Sequence, residues 1–410
     1  MILSRKLGLR YLSIDALCIL QGKIESAKAD WATECVKMAS IYSNAALVIV
    51  AASARDCHDG FLKRRRPCLT SSGSEHDAAQ CRPSCFRETV VDDMMTASKR
   101  TKWGYGGART GQQAEWSSRG WTSQEIFLAS QAIIFANGNL YWKYDKGICG
   151  INIRHRPLEG ASLDPQLPLD PDDRELCQKM DVLAPPENWR VSLEQYTRRY
   201  VTVAEDKLPA LSGMANLFAE SLGDQYLAGP RRKSLLEDPL WRTIPILGDL
   251  PRCTLDWRAP SWSWASVDGQ VKYSIGLNFK QDLRDAEVLV ASTVPEDADL
   301  HGRITRSSLR LRGKLKQATR LRVEAHLYAG DVFDDDLKIA RAWVDEKGKI
   351  EIEGEVLRPW CLLVKQGPGL LLETFHDKPF VSKRIGLMML KSGDLALHLP
   401  SWSVQDVELV

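Results

Sequence analysis

Glu125 is the residue whose type and setting most invite chemistry. It lies in "RGWTSQEIFLASQAIIF" (Arg119 to Phe135), a short helix signal running into an apolar strand signal, four residues after Trp121 and three before Leu128. On a helix those three share one face. A carboxylate on such an apolar stripe is either held by a basic partner, Arg119 being the nearest in sequence, or placed in a pocket. Burying it unpaired would cost several kcal/mol or force it neutral. Three further residues stand where an open sheet places ligands, just beyond the strand signal "RYLSI": Asp15, Cys18 and, one turn later, Gln21. Asp15 is equally suited to cap the turn that starts there. Cys18 sits between Leu17 and Ile19 with no His close in sequence, which suits a core thiol better than a nucleophile.

Other reactive residue types lack a chemical pattern. Cys57, His58, Cys68, His76, Cys81 and Cys85 form the densest Cys/His cluster, and Cys81 and Cys85 have zinc-site spacing. No second C-x-x-C or H-x-x-x-H accompanies them, so loop thiols and no bound metal are expected. "KRRR" (Lys63 to Arg66) reads as a solvated loop. "GYGGARTG" (Gly104 to Gly111) has the glycines of a phosphate loop without its Lys-Ser/Thr end.

The elements that must position Glu125 follow from periodicity. The strand "RYLSI" (Arg10 to Ile14), the helix "DWATECVKMASIYSNA" with Asp30 as its N-cap and Trp31, Cys35, Met38 and Tyr42 on one stripe, and the buried strand "ALVIVAAS" alternate as in a parallel sheet covered on both faces. A loop-rich insertion spans about 55–118. The Glu125 helix and the strands "SQAIIF" and "NLYWKY" complete an α/β domain over 1–150. A Pro- and Asp-rich linker covers 151–187, a helical connector 188–258 and a β-rich region 259–410. In "SWSWAS" the strand period puts Trp262 and Trp264 on one face as an aromatic anchor.

Bulk properties narrow the function. A formal charge of +2 gives no field that would call for nucleic acid or an anionic membrane. The longest apolar run, "AALVIVAASA", is about half the length that spans a bilayer, and "MILSRKLGLRYL" lacks the core of a signal peptide. A cytoplasmic protein with reduced cysteines is expected.

Five ordered blocks, "YLSIDALCILQ", "DWATECVKMASIYSNAALVIVAASARDCHDGFL", "SSRGWTSQEIFLASQAIIFANGNLYWKY", "AEDKLPALSGMA" and "APSWSWASVDGQV", resemble the fungal heterokaryon-incompatibility (HET) domain and its C-terminal extension. The resemblance covers roughly 9–145 as the domain proper. It implies a TIR-like doubly wound α/β sheet and a role in non-self recognition, with programmed cell death triggered through association of the domain with protein partners or itself. TIR-like domains that cleave NAD use a glutamate in a short helix with a Trp four residues earlier, which Trp121 and Glu125 match. The resemblance thus implies, as the alternative, a NAD hydrolase using Glu125, with Asp15 or Gln21 at the ribose or base and NAD as substrate rather than cofactor. HET domains normally begin upstream with a strand and an aromatic-Gly loop, whereas this chain opens inside the first helix. By that comparison it is N-terminally truncated, one wall of a nucleotide pocket is missing, and catalysis is not expected; an inactive remnant is the third reading. Denatured protein from a reducing preparation should titrate all ten thiols, and stable disulfides in protein taken directly from cells would overturn this.

Overall fold

The computed structural model describes residues 2–22, 24–52, 54, 58, 115–136, 139–144, 147–151, 186–244, 257–273, 284–324, 329–345, 357–365, 367–375, 377–390 and 401–410. Apart from His58, the Cys/His cluster lies outside the described residues, as do "KRRR", "GYGGARTG" and most of the linker.

The N-terminal module opens with helices α1 (Ile2–Lys6), α2 (Asp15–Cys18), α3 (Glu25–Cys35) and α4 (Met38–Ser43), then strand β1 (Val48–Val50). It resumes with α5 (Glu115–Ser118), α6 (Thr122–Leu128), β2 (Ala132–Ala136), β3 (Asn139–Tyr144) and β4 (Gly147–Ile151). The sheet order is β1-β2-β3-β4, and only β1–β2 is parallel, with Val48 opposite Ala132 and Val50 opposite Ile134. The all-parallel, doubly wound sheet expected from the strand-helix-strand alternation is not found among the described residues. The reason is chain length: two residues join β2 to β3, enough for a hairpin but far short of a crossover.

Other local expectations are corrected too. Arg10 to Ile14 forms no ladder; Ile14 is extended at φ −138°, ψ 117°, and Tyr11 is exposed. α3 starts five residues before Asp30, whose carboxylate accepts the Leu20 N–H at 2.7 Å and so ties the preceding loop to the helix. α3 and α4 are separate helices, so Trp31 and Tyr42 do not share one continuous stripe.

The connector contains α7 (Pro186–Tyr196), a 3₁₀ turn (Ala204–Lys207) and α8 (Pro209–Leu222). Pro209 suits the first turn of α8, where its missing N–H costs nothing, and Gly223 ends the helix at φ 53°. Trp189, Leu193, Tyr196, Leu211, Met214 and Phe218 build a core with Trp241 and Trp264. Strands β5 (Trp241–Thr243) and β6 (Val271–Tyr273) pair beneath it.

"SWSWAS" is not a strand. Ser263 caps a 3₁₀ turn (Trp264–Ser266), its Oγ accepting the Ala265 N–H at 3.1 Å. The turn sends the two buried tryptophans apart, Trp264 into the connector core and Trp262 into the core of the β-rich region.

That region contributes β7 (Ala286–Pro295), β8 (Ile304–Gln317), β9 (Arg320–Glu324), β10 (Ala329–Asp334), β11 (Leu337–Val344), β12 (Trp360–Leu363), β13 (Pro368–Phe375), β14 (Lys378–Leu390) and β15 (Ser403–Leu409). β8, β12, β13, β14 and β15 pair in a closed ring, which removes their free edges; β7 extends it from β8, and β11-β10-β9 from β14. All five ring strands put apolar residues into the cluster that receives Trp262, among them Leu311, Leu362, Leu370, Leu387 and Val407.

The two parts of the chain meet at Gly213 of α8. A Cβ built there lies 2.6 Å from Ala39 Cβ, 2.9 Å from Gln124 Oε1 and 3.0 Å from Leu128 Cδ1. A mid-helix glycine costs about 1 kcal/mol against alanine, so this one reflects lack of room. Gly213→Val should destabilise the protein by about 1–3 kcal/mol in urea unfolding through overpacking; an unchanged midpoint would show that the joint is loose.

Candidate functional site

Helix α6 carries Glu125 between two bodies of structure, α4 on one side and α8 on the other. Its start is pinned through Thr122, whose hydroxyl donates to the carbonyls of Trp116 (2.8 Å) and Arg119 (2.7 Å). The segment just before it is laced to the connector. Gly120 N–H donates to the Tyr200 carbonyl at 2.7 Å, and Tyr200 N–H to the Ser118 carbonyl at 2.6 Å. That close approach needs a glycine, since a Cβ at Gly120 would stand 2.6 Å from Val201 Cγ1. Further along, the buried Gln124 accepts the Gly213 N–H at 3.3 Å. Trp121 meets Trp31 edge-on at 5.0 Å, and Phe127 stacks on Phe218 at 5.9 Å.

So held, Glu125 is partly buried, and its carboxyl is pushed up to about 7. Loss of hydration is the main cause and the charge of Asp15 the next; the positive charge of Arg119, a hydrogen bond from the Trp116 side chain and the charge of Arg199 act against them. Asp15 is raised as well, by burial, while Arg119 and the Tyr42 hydroxyl restrain it. Tyr42 is raised by burial and by both carboxylates. Arg199 is lowered to about 10 by burial, with Glu125 opposing the shift. Two carboxyls thus share one poorly hydrated place beside a phenol that stays protonated, and Glu125 keeps its proton towards neutrality. Such a group can serve as a general acid or base.

Three buried charges elsewhere are differently placed. Lys365 Nζ lies 2.7 Å from Glu237, Arg190 2.8 Å from Asp238, and Arg384 against Asp345, each in contact with its opposite charge. At Glu125 the neighbouring carboxylate is of like sign, and among the described residues no ion pair joins it to Arg119, so the simple Arg119 partnership is not what the fold builds.

Of the residues singled out by sequence, the fold brings together Asp15 and Glu125, with the charge of the exposed Arg119 felt by both. Asp15 is the first residue of α2 and makes no side-chain cap. Trp121 packs against Trp31 and the connector core. Cys18 is exposed, not part of the core, and takes a 3.8 Å hydrogen bond from Ser13. Gln21 is exposed and donates to its own chain at the Ile19 carbonyl, 2.8 Å away. Neither hydrogen-bonds to the carboxyl pair. Sequence reasoning missed Trp116, Arg199 and the role of Tyr42. Tyr42 stood on a helical stripe and passed for core; Arg199 carries no local signal. No group of three or more His, Cys, Asp or Glu among the described residues is placed to hold a metal ion.

The raised Glu125 carboxyl has a defined stability signature. The native state keeps the proton up to about pH 7, whereas its ordinary value is 4.5, so stability falls as pH rises between those values, by on the order of 3 kcal/mol. Glu125→Gln removes that loss. Its melting temperature relative to wild type should therefore climb between pH 4.5 and pH 7 and level off above. A variant that melts below wild type at pH 8 would show instead that Glu125 is a structural ion-pair member.

No helix among the described residues is long and apolar enough to cross a membrane. No curated protein and no solved structure matches the chain. Residues 1–125 do match the family model described as Heterokaryon incompatibility protein (HET), a stretch that contains both Asp15 and Glu125 and ends on the latter. Over those 125 residues the chain is therefore similar to the HET family, and the match ends where the connector and the β-rich region have yet to begin.

Proposed function

We propose that this protein acts in heterokaryon incompatibility, as a non-self-recognition protein of a fungal cell that triggers programmed cell death through association of its HET domain. The observation that carries this reading is a run of exposed large apolar residues near the start of the family-matched segment. Tyr11 is 82% exposed, Leu17 70%, Leu20 59% and Ile24 67%, four large apolar side chains within fourteen residues. Single exposed apolar residues are commonplace, but a group this dense favours a protein partner, and each would gain about 1.5–3 kcal/mol when fully covered. A small net charge leaves no strong field to keep copies apart.

The carboxyl pair supports a second reading, a TIR-like NAD hydrolase. In it Glu125 is the catalytic carboxylate and Asp15, rather than the exposed Gln21, shares the pocket with the substrate ribose. The two readings part on two variants of the full chain overexpressed in a fungus. Leu17→Asp with Leu20→Asp should abolish self-association in sedimentation and rescue viability, while Glu125→Gln should still kill. Killing and NAD turnover that vanish together in Glu125→Gln without loss of fold would promote the hydrolase. Killing by the double Asp variant at wild-type strength would sink the association reading.

A further inference from the structure

The family-matched segment does not hold Glu125 by itself. Its helix runs on past that segment, and contacts from the connector join those of α4 and α5 in fixing it. Arg199 Nη1 donates to Thr122 Oγ1 at 2.8 Å, and Thr122 is the residue whose hydroxyl pins the start of α6. The adjoining backbone seals the arrangement, because Tyr200 exchanges hydrogen bonds with Ser118 and Gly120 at 2.6 and 2.7 Å. Arg199 is thus tied to the residue that launches α6, three positions before Glu125, close enough for its charge to favour the ionised carboxyl.

We propose that Arg199, supplied by the connector, is a positioning residue for the Glu125–Asp15 pair, and that the connector is therefore a working part of the HET-domain site rather than a tether. The proposal rests on the second reading above, that the pair does chemistry, but it can be measured on the pair itself. The reciprocal influence of Glu125 and Arg199 fits it: each stabilises the charged form of the other. The groups facing the pair are Tyr42 from α4, Trp116 from α5, Arg119 from the turn before α6 and Arg199 from the connector, with Tyr196 beside Arg199. Arg119 is exposed and its charge is screened by water, whereas Arg199 is largely withdrawn from it and acts with less screening.

The test uses the full chain. Melting temperature is followed from pH 4 to pH 9 for wild type, Arg199→Met, Arg199→Lys and Thr122→Val, each with and without Glu125→Gln. The difference within each couple isolates the Glu125 titration, whose wild-type midpoint should lie at about 7. Arg199→Met should move that midpoint up, because an opposing positive charge is gone. Arg199→Lys, which keeps the charge, should restore it. Thr122→Val, which keeps the charge but loses the hydrogen bond that places it, should move the midpoint in the same direction as Arg199→Met by less. A midpoint unmoved in a folded Arg199→Met protein would overturn the proposal. If the Met variant does not fold, Arg199→Gln takes its place in the same titration; failure of both neutral variants beside a folded Arg199→Lys would support the charge as the essential feature. Where NAD cleavage is measurable, the same upward displacement should appear in its pH profile. Should Glu125→Gln abolish neither killing nor cleavage while the midpoints move as expected, the hydrolase reading fails and the positioning role stands.

Discussion

A carboxylate withdrawn from water beside a second carboxylate is the constraint around which the N-terminal half of this protein is arranged. Lost hydration and like charge both favour a proton on Glu125, and the neighbouring groups oppose them only in part. Trp116 and Tyr42 supply hydrogen bonds, Arg119 and Arg199 supply charge, and none of these groups comes from the same element as another. Counting α2 with Asp15 and α6 with Glu125, six pieces of chain contribute to this one point. The connector engages the Glu125 helix at Thr122, Gln124 and Phe127.

From that helix the packing runs without a gap into the C-terminal half. Phe218 and Trp189 in the connector core are followed by Trp241 and Trp264, and the turn that holds Trp264 delivers Trp262 to the core of the strand ring. Arg384 closes the joint from the ring side. Its guanidinium lies 3.5 Å from the centre of the Trp241 ring, and its backbone N–H takes the Ser261 hydroxyl as acceptor at 2.9 Å. With Asp345 as its buried counterion, this arginine is compensated in a way Glu125 is not. The contrast separates groups that hold the fold from groups the fold leaves poised.

Periodicity made the helices around Glu125, the strands after it and the β-rich character of the C-terminal half legible in the sequence. Pairing was less so. "ALVIVAAS" is apolar at every position, which suits a parallel sheet, yet the two-residue link after "SQAIIFA" decides the next pairing, and link length outranks composition. "RYLSI" alternates like a strand and finds no neighbour to pair with. "SWSWAS" alternates too, but a serine hydroxyl competing for a backbone N–H turned it into a 3₁₀ turn. In the site, Glu125 stood out because a carboxylate on an apolar stripe is conspicuous, whereas Asp15 was singled out for its place beyond a strand that does not form. Arg199 was not, since an arginine in a polar stretch is unremarkable until the chain folds back on Gly120.

The distance along the chain between α6 and the connector bears on synthesis. Ser123 meets Met214 across 91 positions, and Gly213 meets Gln124 across 89. At about 5–20 residues per second, a ribosome that has just finished the Glu125 helix runs on for roughly 5–20 s before α8 exists to cover it. During that interval Trp121 and Phe127 have no connector core to enter. Until the connector has left the exit tunnel, the apolar face of α6 therefore lacks the partner that covers it in the folded chain.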